Sequence, residues 1–354
     1  MSTTPPPATE PSPAFWPAIL GRLTARESLT REEAGEAMRV IMQGMATQAQ
    51  VAGFLMALRT KGETTEELEG LAETTLEFAQ RVQAPGPVAD TCGTGGDRAG
   101  TLNVSTLGAI VCAGAGLAVA KHGNRAASSR CGSADLLEAL GVKIDLGPRG
   151  VERCLAEAGI GFMFAPVFHP AAAHAAGVRR ELRVPTAFNF LGPLTNPARP
   201  EAQIVGVSDP RMLPLVAEVL ARRGVRAMVF RGGDGLDELT TTGPSRVYRV
   251  EEGELLEFEL DPEEAGLPRA DPEALRGGDV ERNVAIARSV LGGEPGPPRD
   301  VVALNAAAAL VVAGRAGDLR QGVERAAESI DSGAAASVLD RWIAVSNAAG
   351  PAEA

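Results

Sequence analysis

One group of residues able to bind an anion is a glycine-rich stretch, DTCGTGGD at residues 90–97, which directly follows a predicted buried strand. Its glycines allow backbone N–H groups to approach an anion closely. Asn103, Ser105 and Thr106 then open a helix whose N-terminus carries partial positive charge. The spacing matches neither the GxGxxG dinucleotide fingerprint nor a P-loop. The stretch predicts a phosphate-binding loop, although taken alone it also fits a plain tight turn with a Ser/Thr N-cap.

A second group follows the next predicted strand along the chain, as KHGNRAASSRCGSAD at residues 121–135. Lys121, Arg125 and Arg130 concentrate positive charge among glycines and serines, in a chain whose net charge is −11. Such local charge attracts anions. We interpret the segment as a second phosphate site, with a solvated basic loop as the alternative.

Adjacent carboxylates stand at the end of a further predicted strand, in GGDGLDE at residues 232–238. Mg²⁺ favours oxygen ligands, retains several waters and commonly bridges to substrate phosphates, so Asp237 and Glu238 are candidate ligands. The segment lacks the alternating acidic positions of an EF-hand. An acidic turn exposed to solvent is the alternative interpretation.

A fourth candidate is Arg179, within VRREL at residues 178–182. Its planar guanidinium could bind a carboxylate through two parallel hydrogen bonds, or it could lie on the surface of a helix. Anion-binding loops at strand ends together with a carboxylate pair would suit a phosphorylated sugar that carries pyrophosphate, because α/β sheets bind ligands at the carboxyl ends of their strands.

The elements that must position these residues alternate between strand and helix. Short apolar runs predict buried strands at residues 88–92, 117–120, 160–164, 204–207 and 227–230. Helical patterns lie between them, at residues 107–115, 134–140, 151–158 and 213–222. This alternation predicts an α/β domain with a mostly parallel central sheet. Residues 246–250 and 254–260 predict an antiparallel hairpin at its edge, and residues 303–349 are helical.

The chain before residue 88 has a different pattern. Residues 1–13 are proline-rich and polar and predict a disordered tail. From residue 15 to about residue 82 the pattern is helical throughout, with a capping box formed by Thr30 and Glu33, until Ala-Pro-Gly-Pro at 84–87 ends it. We therefore predict three parts, a tail over 1–13, a small all-helical domain over 14–84 joined by a helical part near 174–200, and a larger α/β domain over 88–349.

Composition narrows the class of protein. The 354 residues carry 45 Asp+Glu against 34 Lys+Arg, which argues against nucleic acid as a partner because binding to phosphate backbones needs clustered positive charge. No apolar run reaches the ~20 residues of a membrane span. The cysteines show no CxxC pairing and the histidines no zinc spacing, which indicates reduced thiols in a cytoplasmic protein. The four cysteines are Cys92, Cys112, Cys131 and Cys154.

Seven segments, in this order and with compatible spacing, resemble the anthranilate phosphoribosyltransferase family of tryptophan biosynthesis. They are GTGGD (93–97), NVST (103–106), KHGNRAASS (121–129), GSAD (132–135), VRREL (178–182), FNFLGPLTNPA (188–198) and DGLDE (234–238). The resemblance extends from about residue 19 to residue 342. It implies a homodimer of chains that each place a helical domain beside an α/β domain. The sequence departs from the family pattern at Gly177 and at residues 183–185, on either side of Arg179.

The resemblance also implies a reaction and its residues. Anthranilate would react with 5-phosphoribosyl 1-pyrophosphate (PRPP), with Mg²⁺ as cofactor, to give N-(5-phosphoribosyl)anthranilate and pyrophosphate. Ser105, Asp237 and Glu238 are the implied Mg²⁺ ligands, and Gly93, Asn124 and Arg179 the implied anthranilate contacts. The implied PRPP-binding residues are Gly93, Gly96, Asp97, Thr101, Asn103, Val104, Ser105, Thr106, Lys121, His122, Gly123, Asn124, Arg125, Ala126, Ala127, Ser128, Ser129 and Ser133.

Such a reaction needs no nucleophilic side chain. Departure of pyrophosphate leaves positive charge on the ribose, so the main requirement is to stabilise the leaving anion. The aromatic amine is already neutral near pH 7, so positioning it is the other contribution. His122 is a hypothetical acceptor of its proton, and a His122→Ala variant that keeps kcat within about threefold would contradict that role, because losing a general base costs far more.

Two other functions compete with this one. A nucleoside phosphorylase of the pyrimidine type resembles the architecture but uses inorganic phosphate, has a different lysine loop and gives the carboxylate pair no evident use. The other is a catalytically silent relative that binds polyphosphate or nucleic acid, although the acidic composition argues against nucleic acid and the complete set of anthranilate-side residues argues against silence.

Overall fold

The computed structural model describes residues 11–126 and 130–350. Four helices form the N-terminal unit, namely α1 (Phe15–Thr24), α2 (Arg31–Met42), α3 (Gln48–Lys61) and α4 (Thr65–Glu77). Helix α2 begins at the predicted capping box, in which the Thr30 side chain accepts from the Glu33 N–H and the Glu33 side chain accepts from the Thr30 N–H. Helices α3 and α4 begin with the same motif, which satisfies N–H groups that a helix start leaves unpaired.

The prediction that helix continues to about residue 82 is wrong, because α4 ends at Glu77. The chain beyond it is held in an irregular path by another part of the molecule. The backbone N–H of Gln80 donates to the carbonyl of Phe168 at 2.9 Å, and its side-chain amide donates to the carbonyl of Val167 at 2.8 Å. These contacts replace the hydrogen bonds that a further helical turn would make.

Seven strands form one sheet in the order β3-β2-β1-β4-β5-β6-β7. The strands are β1 (Ala89–Gly93), β2 (Val119–Gly123), β3 (Ile160–Phe164), β4 (Ala202–Gly206), β5 (Arg226–Gly232), β6 (Ser245–Glu251) and β7 (Glu254–Leu260). Strands β1 to β5 are parallel to one another, while β6 and β7 form an antiparallel hairpin that pairs with β5 at one edge of the sheet. The structure thus confirms both the mostly parallel sheet and the edge hairpin.

Helices cover both faces of the sheet. The helices that follow α4 in the chain are α5 (Val104–Gly114), α6 (Ser133–Leu140), α7 (Pro148–Ala158), α8 (Ala165–Phe168), α9 (Ala173–Leu182), α10 (Phe188–Leu191), α11 (Met212–Arg222), α12 (Val280–Leu291), α13 (Pro297–Val312), α14 (Leu319–Asp331) and α15 (Ala334–Asn347). In the described ranges, no helix is both long enough and apolar enough to cross a bilayer.

The interior contains two apolar cores, one on each face of the sheet, because successive side chains of a strand point to opposite faces. On β4, Ile204 belongs to the core beneath α5 and α13, whereas Val205 belongs to the core that the sheet shares with the helical unit. Residues of α9 and α10, including Val178 and Phe190, lie in this shared core, and α9 contacts α2 and α3. We propose on this basis that the helical domain combines residues 14–84 with the part near 174–200, the remainder of 88–349 forming the α/β domain.

Packing between α2 and α4 depends on a glycine. A Cβ on Gly70 would lie 2.1 Å from the carbonyl oxygen of Arg31, so we expect Gly70→Ala to lower the free energy of unfolding by about 1–3 kcal/mol through overpacking. A Cβ on Gly21, an exposed residue of α1, would have no atom within 4 Å, and Gly21→Ala should instead raise that free energy by up to ~1 kcal/mol. Urea unfolding of both variants measures the difference; equal shifts would contradict the packing argument.

Candidate functional site

The strand order reverses between β1 and β4, so a crevice opens beyond the carboxyl ends of these two strands. Open α/β sheets bind ligands at such a position. The glycine-rich stretch leaves β1 here, and the acidic turn and the basic loop leave neighbouring strands at the same edge. The topology therefore brings together three of the four groups that the sequence singled out.

The glycine-rich stretch folds as an open loop against the acidic turn. Gly95 and Gly96 have φ of +68° and +87°, in the left-handed region that favours glycine. The Gly95 N–H donates to Oδ2 of Asp237 at 2.7 Å. A Cβ on Gly93 would lie only 2.3 Å from the same oxygen, so the carboxylate can occupy this position because Gly93 has no side chain. The close backbone approach expected from the sequence is thus made to a carboxylate of the protein itself.

The acidic turn places two carboxylates in the interior of the site. Asp237 and Glu238 are each 9% exposed, and the N–H of Ser105, at the start of α5, donates to Oε1 of Glu238 at 3.2 Å. Burial raises the pKa of Asp237 to about 7, and the nearby negative charge of Asp97 adds to this rise. Burial and the charge of Asp237 raise the pKa of Glu238 as well. A divalent cation would relieve this repulsion.

The donor set suits Mg²⁺ better than a metal held by protein groups alone. In the part of the chain that the structure describes, no three side chains of His, Cys, Asp or Glu are arranged as ligands for one ion. Two carboxylates and the Ser105 hydroxyl would leave coordination positions for water and phosphate oxygens, which is how Mg²⁺ is commonly held. The residues present therefore fit a magnesium ion that is shared with a phosphorylated ligand.

The N-terminus of α5 carries polar atoms that have no partner. Asn103 occupies the N-cap without a capping hydrogen bond, and its Nδ2 donates to the carbonyl of Cys131 at 3.1 Å. Oδ1 of Asn103 and Oγ1 of Thr106 are buried without a hydrogen bond to any described residue. The Ser/Thr N-cap that a plain turn would use is absent here. Because buried polar atoms are nearly always paired, these atoms are available to water or to a ligand.

The residues on either side of the start of α5 are buried or bonded within the protein. Val104 is the first residue of α5 and is buried, while Thr101 forms an isolated bridge with Arg276. Asp97 accepts a hydrogen bond from the N–H of Ala99 at 3.2 Å. The loop between β1 and α5 is therefore supported by contacts within itself and with residue 276.

Lys121 does not point toward solvent as an exposed phosphate-binding cation would. Its side chain is 2% exposed, and Nζ donates to the carbonyl of Thr91 and, at 3.3 Å, to Oγ of Ser105. Burial lowers the pKa of Lys121, against the opposing effect of Asp90. The ammonium therefore lies beneath the start of α5, where it can orient the Ser105 hydroxyl.

Arg125 is also engaged within the protein. Its guanidinium pairs with Asp135 at 2.9 Å and with Glu138 at 2.8 Å, both on α6. The Asp135 carboxylate accepts in addition from the N–H groups of Ala126 and Gly132. These bonds hold the described ends of the basic loop together. Ala127, Ser128 and Ser129 lie outside the described residues.

The remaining loop residues make close backbone contacts. The Ser133 hydroxyl donates to the carbonyl of Asn124 at 3.1 Å, and a Cβ on Gly123 would lie 2.5 Å from Oγ of Ser133. Gly123 is therefore required by the tight return of the loop to α6. The predicted assignment of these residues to a phosphate ligand stays a prediction.

Arg179, the fourth candidate from the sequence, makes none of the contacts described above for the glycine loop, the acidic turn and the basic loop. Its guanidinium carbon is 5.1 Å from the ring centroid of Phe188, and burial lowers its pKa. Among the described residues it forms no ion pair with a carboxylate. The departures from the family pattern are local, since Gly177 has open space around it and Arg183 adopts φ of +53° at the end of α9. A half-buried guanidinium without an acidic partner can accept a carboxylate from a ligand.

His122 lies on the opposite face of the sheet from Lys121, because neighbouring residues of β2 alternate. Its Nδ1 is 3.0 Å from the carbonyl oxygen of Gly192, and its ring centroid is 5.0 Å from that of His169. Burial, together with the neighbouring His169, lowers the pKa of His122 to about 3. An imidazole of such low basicity is a weak proton acceptor, and its proposed role stays a prediction.

The two histidines make stability depend on pH. Burial lowers the pKa of His169 to about 4, against an ordinary value of 6.5. Both imidazoles therefore stay neutral in the folded protein at pH 5, whereas the unfolded chain binds protons below 6.5, so stability falls as the pH falls through that value. His169→Gln should flatten this slope by about 1.4 kcal/mol per pH unit.

Urea unfolding at pH 7.0, 5.5 and about 4.5 measures the slope. His174→Gln is the control, because it makes the same replacement at an exposed histidine. An unaltered slope in His169→Gln would contradict the buried neutral state of this histidine.

Sequence reasoning missed several residues that organise the site. Asp135 was included only as a member of the segments at 121–135 and 132–135, with no role of its own, although it accepts from two backbone N–H groups. Ser208, which the sequence analysis did not name, contacts the glycine loop, and Asn196, which was named only as part of the segment at 188–198, donates to Asp90 at 2.8 Å. A carboxylate three residues after a glycine at a helix start could have indicated the role of Asp135. No local signal marks the other two, since their partners are more than a hundred residues away.

Comparison with known proteins gives consistent results over nearly the whole chain. The model of a glycosyl transferase family helical bundle domain matches residues 17–79, and that of a glycosyl transferase family α/β domain matches residues 85–336. An anthranilate phosphoribosyltransferase of Arthrobacter sp. (strain FB24) is 55% identical over 336 residues, which are 93% of this chain and 96% of the relative.

Solved structures agree with the sequence matches. Anthranilate phosphoribosyltransferase from Thermus thermophilus superposes with a TM-score of 0.89 at 47% identity, covering 93% of this chain and 99% of that one. The enzyme from Saccharomyces cerevisiae, solved in complex with PRPP and Mg, superposes with a TM-score of 0.88 at 29% identity, covering 96% of this chain and 99% of that one.

Proposed function

The chain belongs to the anthranilate phosphoribosyltransferase family, and we propose that it carries out this family's reaction with the groups gathered at the carboxyl edge of its sheet. The enzyme transfers the phosphoribosyl group of PRPP to the amine of anthranilate in tryptophan biosynthesis, with Mg²⁺ as cofactor. The assignment of particular residues to PRPP, Mg²⁺ and anthranilate is the proposal.

One observation carries this assignment. The two buried carboxylates accept hydrogen bonds from two parts of the first predicted phosphate site, Asp237 from the Gly95 N–H of the glycine loop and Glu238 from the Ser105 N–H at the start of α5. A metal ion held by this pair would therefore stand next to any phosphate bound by the glycine loop and the α5 N-terminus. That arrangement is what departure of pyrophosphate from C1 of the ribose requires.

Each group of residues has a defined task in the proposed mechanism. The glycine loop and the N-terminus of α5 bind the donor phosphates through backbone N–H groups and the helix dipole. Lys121 orients the Ser105 hydroxyl, and Asp237, Glu238 and Ser105 would hold Mg²⁺. When bound, Mg²⁺ would neutralise charge on the departing pyrophosphate. The remaining proposed PRPP contacts come from the loop between β2 and α6.

Anthranilate would be oriented through its carboxylate by Arg179, with Gly93 and Asn124 as further contacts. The amine is neutral near pH 7, so its attack on C1 needs alignment more than activation, and alignment alone can lower a barrier by several kcal/mol. The low pKa of His122 agrees with a reaction that does not require a strong protein base.

The test is turnover of defined substrates. The purified protein is mixed with anthranilate, PRPP and Mg²⁺, and both the change in anthranilate fluorescence and the release of pyrophosphate are followed. We expect equal rates for the two signals, and loss of both when Mg²⁺ is chelated. Turnover of thymidine with phosphate, and none with anthranilate, would instead identify a nucleoside phosphorylase.

We also propose that the enzyme is a cytoplasmic homodimer. The family supports the homodimer, and burial of all four cysteines as thiols suits a reducing compartment. Light scattering coupled to size exclusion should give twice the chain mass of 36.5 kDa.

A further inference from the structure

We propose that Arg59, on α3 of the helical unit, is a positioning residue for the glycine loop and acts on it through Asp209 and Ser208. The inference rests on the proposed function, because it assigns to the helical unit a part in shaping the PRPP site. It concerns residues that lie outside the predicted binding set and that belong to two different parts of the chain.

The first step is an ion pair between the helical unit and the sheet. Nη2 of Arg59 donates to Oδ2 of Asp209, three residues beyond the end of β4, and both side chains are only 16% exposed. The guanidinium also lies 5.5 Å from the ring centroid of Phe190 and 3.4 Å from the carboxylate of Glu63. Water screens such a pair far less than it screens a surface pair, and three neighbours hold Arg59 in one orientation.

The second step joins this pair to the glycine loop. Ser208, which precedes Asp209, donates through its hydroxyl to the carbonyl of Gly95 at 2.8 Å. Its backbone N–H donates to Oγ1 of Thr94 at 3.1 Å, and its carbonyl accepts from Nε of Arg231 at 3.0 Å. The two bonds to residues 94 and 95 transmit the position of residue 208 to the loop, and the third holds residue 208 against β5.

The third step reaches the proposed metal ligands. Gly95, whose carbonyl is held by Ser208, donates its N–H to Oδ2 of Asp237 at 2.7 Å. A shift of the segment at residues 208–209 would therefore move the backbone N–H groups of the glycine loop. Among them is the Gly95 N–H, which donates to the Asp237 carboxylate. Misplacement of reacting groups by about 1 Å can cost up to ~10²-fold in rate.

A second ion pair between the same two units provides a matched control. Arg222 on α11 pairs with Glu66 on α4 at 2.8 Å, with side chains 37% and 49% exposed. It also links the helical unit to the α/β part, but its hydrogen bonds go to Glu66 and Glu218, away from the glycine loop. If Arg59 served only to hold the two units together, its replacement, like that of Arg222, should lower stability without selectively raising the KM for PRPP.

The experiment compares Arg59→Ala, Arg59→Lys, Asp209→Asn and Arg222→Ala in the full chain. We expect Arg59→Ala to raise the KM for PRPP at least about tenfold while the KM for anthranilate stays within about twofold. Arg59→Lys should show a smaller rise because it keeps the charge, and Arg222→Ala should change neither KM. In the double variant that combines Arg59→Ala with Asp209→Asn, the KM for PRPP should be no higher than in Arg59→Ala alone, because both changes remove the same ion pair.

Hydrogen exchange of the free protein gives a readout that needs no turnover. In Arg59→Ala, peptides covering residues 93–97 should exchange faster than in the wild type, and peptides covering residues 119–123 should not. If wild-type protein shows no transfer to anthranilate, the proposed function fails while this exchange measurement still decides the role of Arg59.

Several results would overturn the proposal. These are equal rises in both KM values, multiplicative effects in the double variant, equal effects of Arg59→Ala and Arg222→Ala, or unchanged exchange at residues 93–97. If Arg59→Ala fails to fold, the two KM values and the exchange at residues 93–97 are compared between Arg59→Lys, Asp209→Asn and Arg222→Ala instead.

Discussion

Replacing Asp237 with Asn and Glu238 with Gln together is expected to lower kcat by about 10³-fold or more, because bound Mg²⁺ would neutralise charge on the departing pyrophosphate and so lower the barrier by several kcal/mol. Both replacements keep an oxygen that can accept from the Gly95 and Ser105 N–H groups. They also remove two buried carboxylates whose pKa values are raised by burial, with Asp97 adding to the rise at Asp237 and Asp237 adding to the rise at Glu238. The fold should therefore be at least as stable as in the wild type.

The measurement is pyrophosphate release at saturating substrates, together with the thermal shift on adding Mg²⁺ and PRPP. Asp234→Asn is the matched control, because Asp234 belongs to the same turn but accepts from the Thr240 and Thr242 hydroxyls, each at 2.6 Å. That variant should lose some stability and keep most of kcat. An undiminished rate in the Asp237 and Glu238 variant would remove the metal assignment.

Arg179→Ala is expected to raise the KM for anthranilate by about 10- to 150-fold, which corresponds to the loss of a charge-assisted contact of ~1.5–3 kcal/mol. The KM for PRPP should stay within about twofold, because the two ligands use separate contacts. The expectation follows from a guanidinium that stacks on Phe188, is half-buried and has no acidic partner among the described residues.

Arg180→Ala is the control for this variant, since the neighbouring side chain is exposed on α9 and should affect neither KM. Arg179→Lys separates charge from geometry, because lysine keeps the charge and loses the planar pair of donors. Equal effects of Arg179→Ala on both substrates would contradict a specific contact with the anthranilate carboxylate.

Local sequence patterns were sufficient for the elements and for much of the site. Apolar runs and glycine ends determine the parallel strands and their helices, and the hairpin at 246–250 and 254–260 formed where it was predicted. The glycine-rich stretch and the carboxylate pair were recognisable because their chemistry depends on a few adjacent residues. The helix boundary near residue 82 was wrong, because contacts with residues 167 and 168 replace helical hydrogen bonds.

What the sequence alone determined was therefore which residue types stand at the ends of the strands. Only the tertiary structure decided where their side chains point. Lys121 turns inward beneath Ser105, Arg125 is neutralised by α6, and Arg59 reaches Asp209 across 150 residues of chain. The physical reason is that hydrogen bonds and ion pairs depend on distance in space, and partners this far apart along the chain are chosen by how the layers pack rather than by any nearby residue.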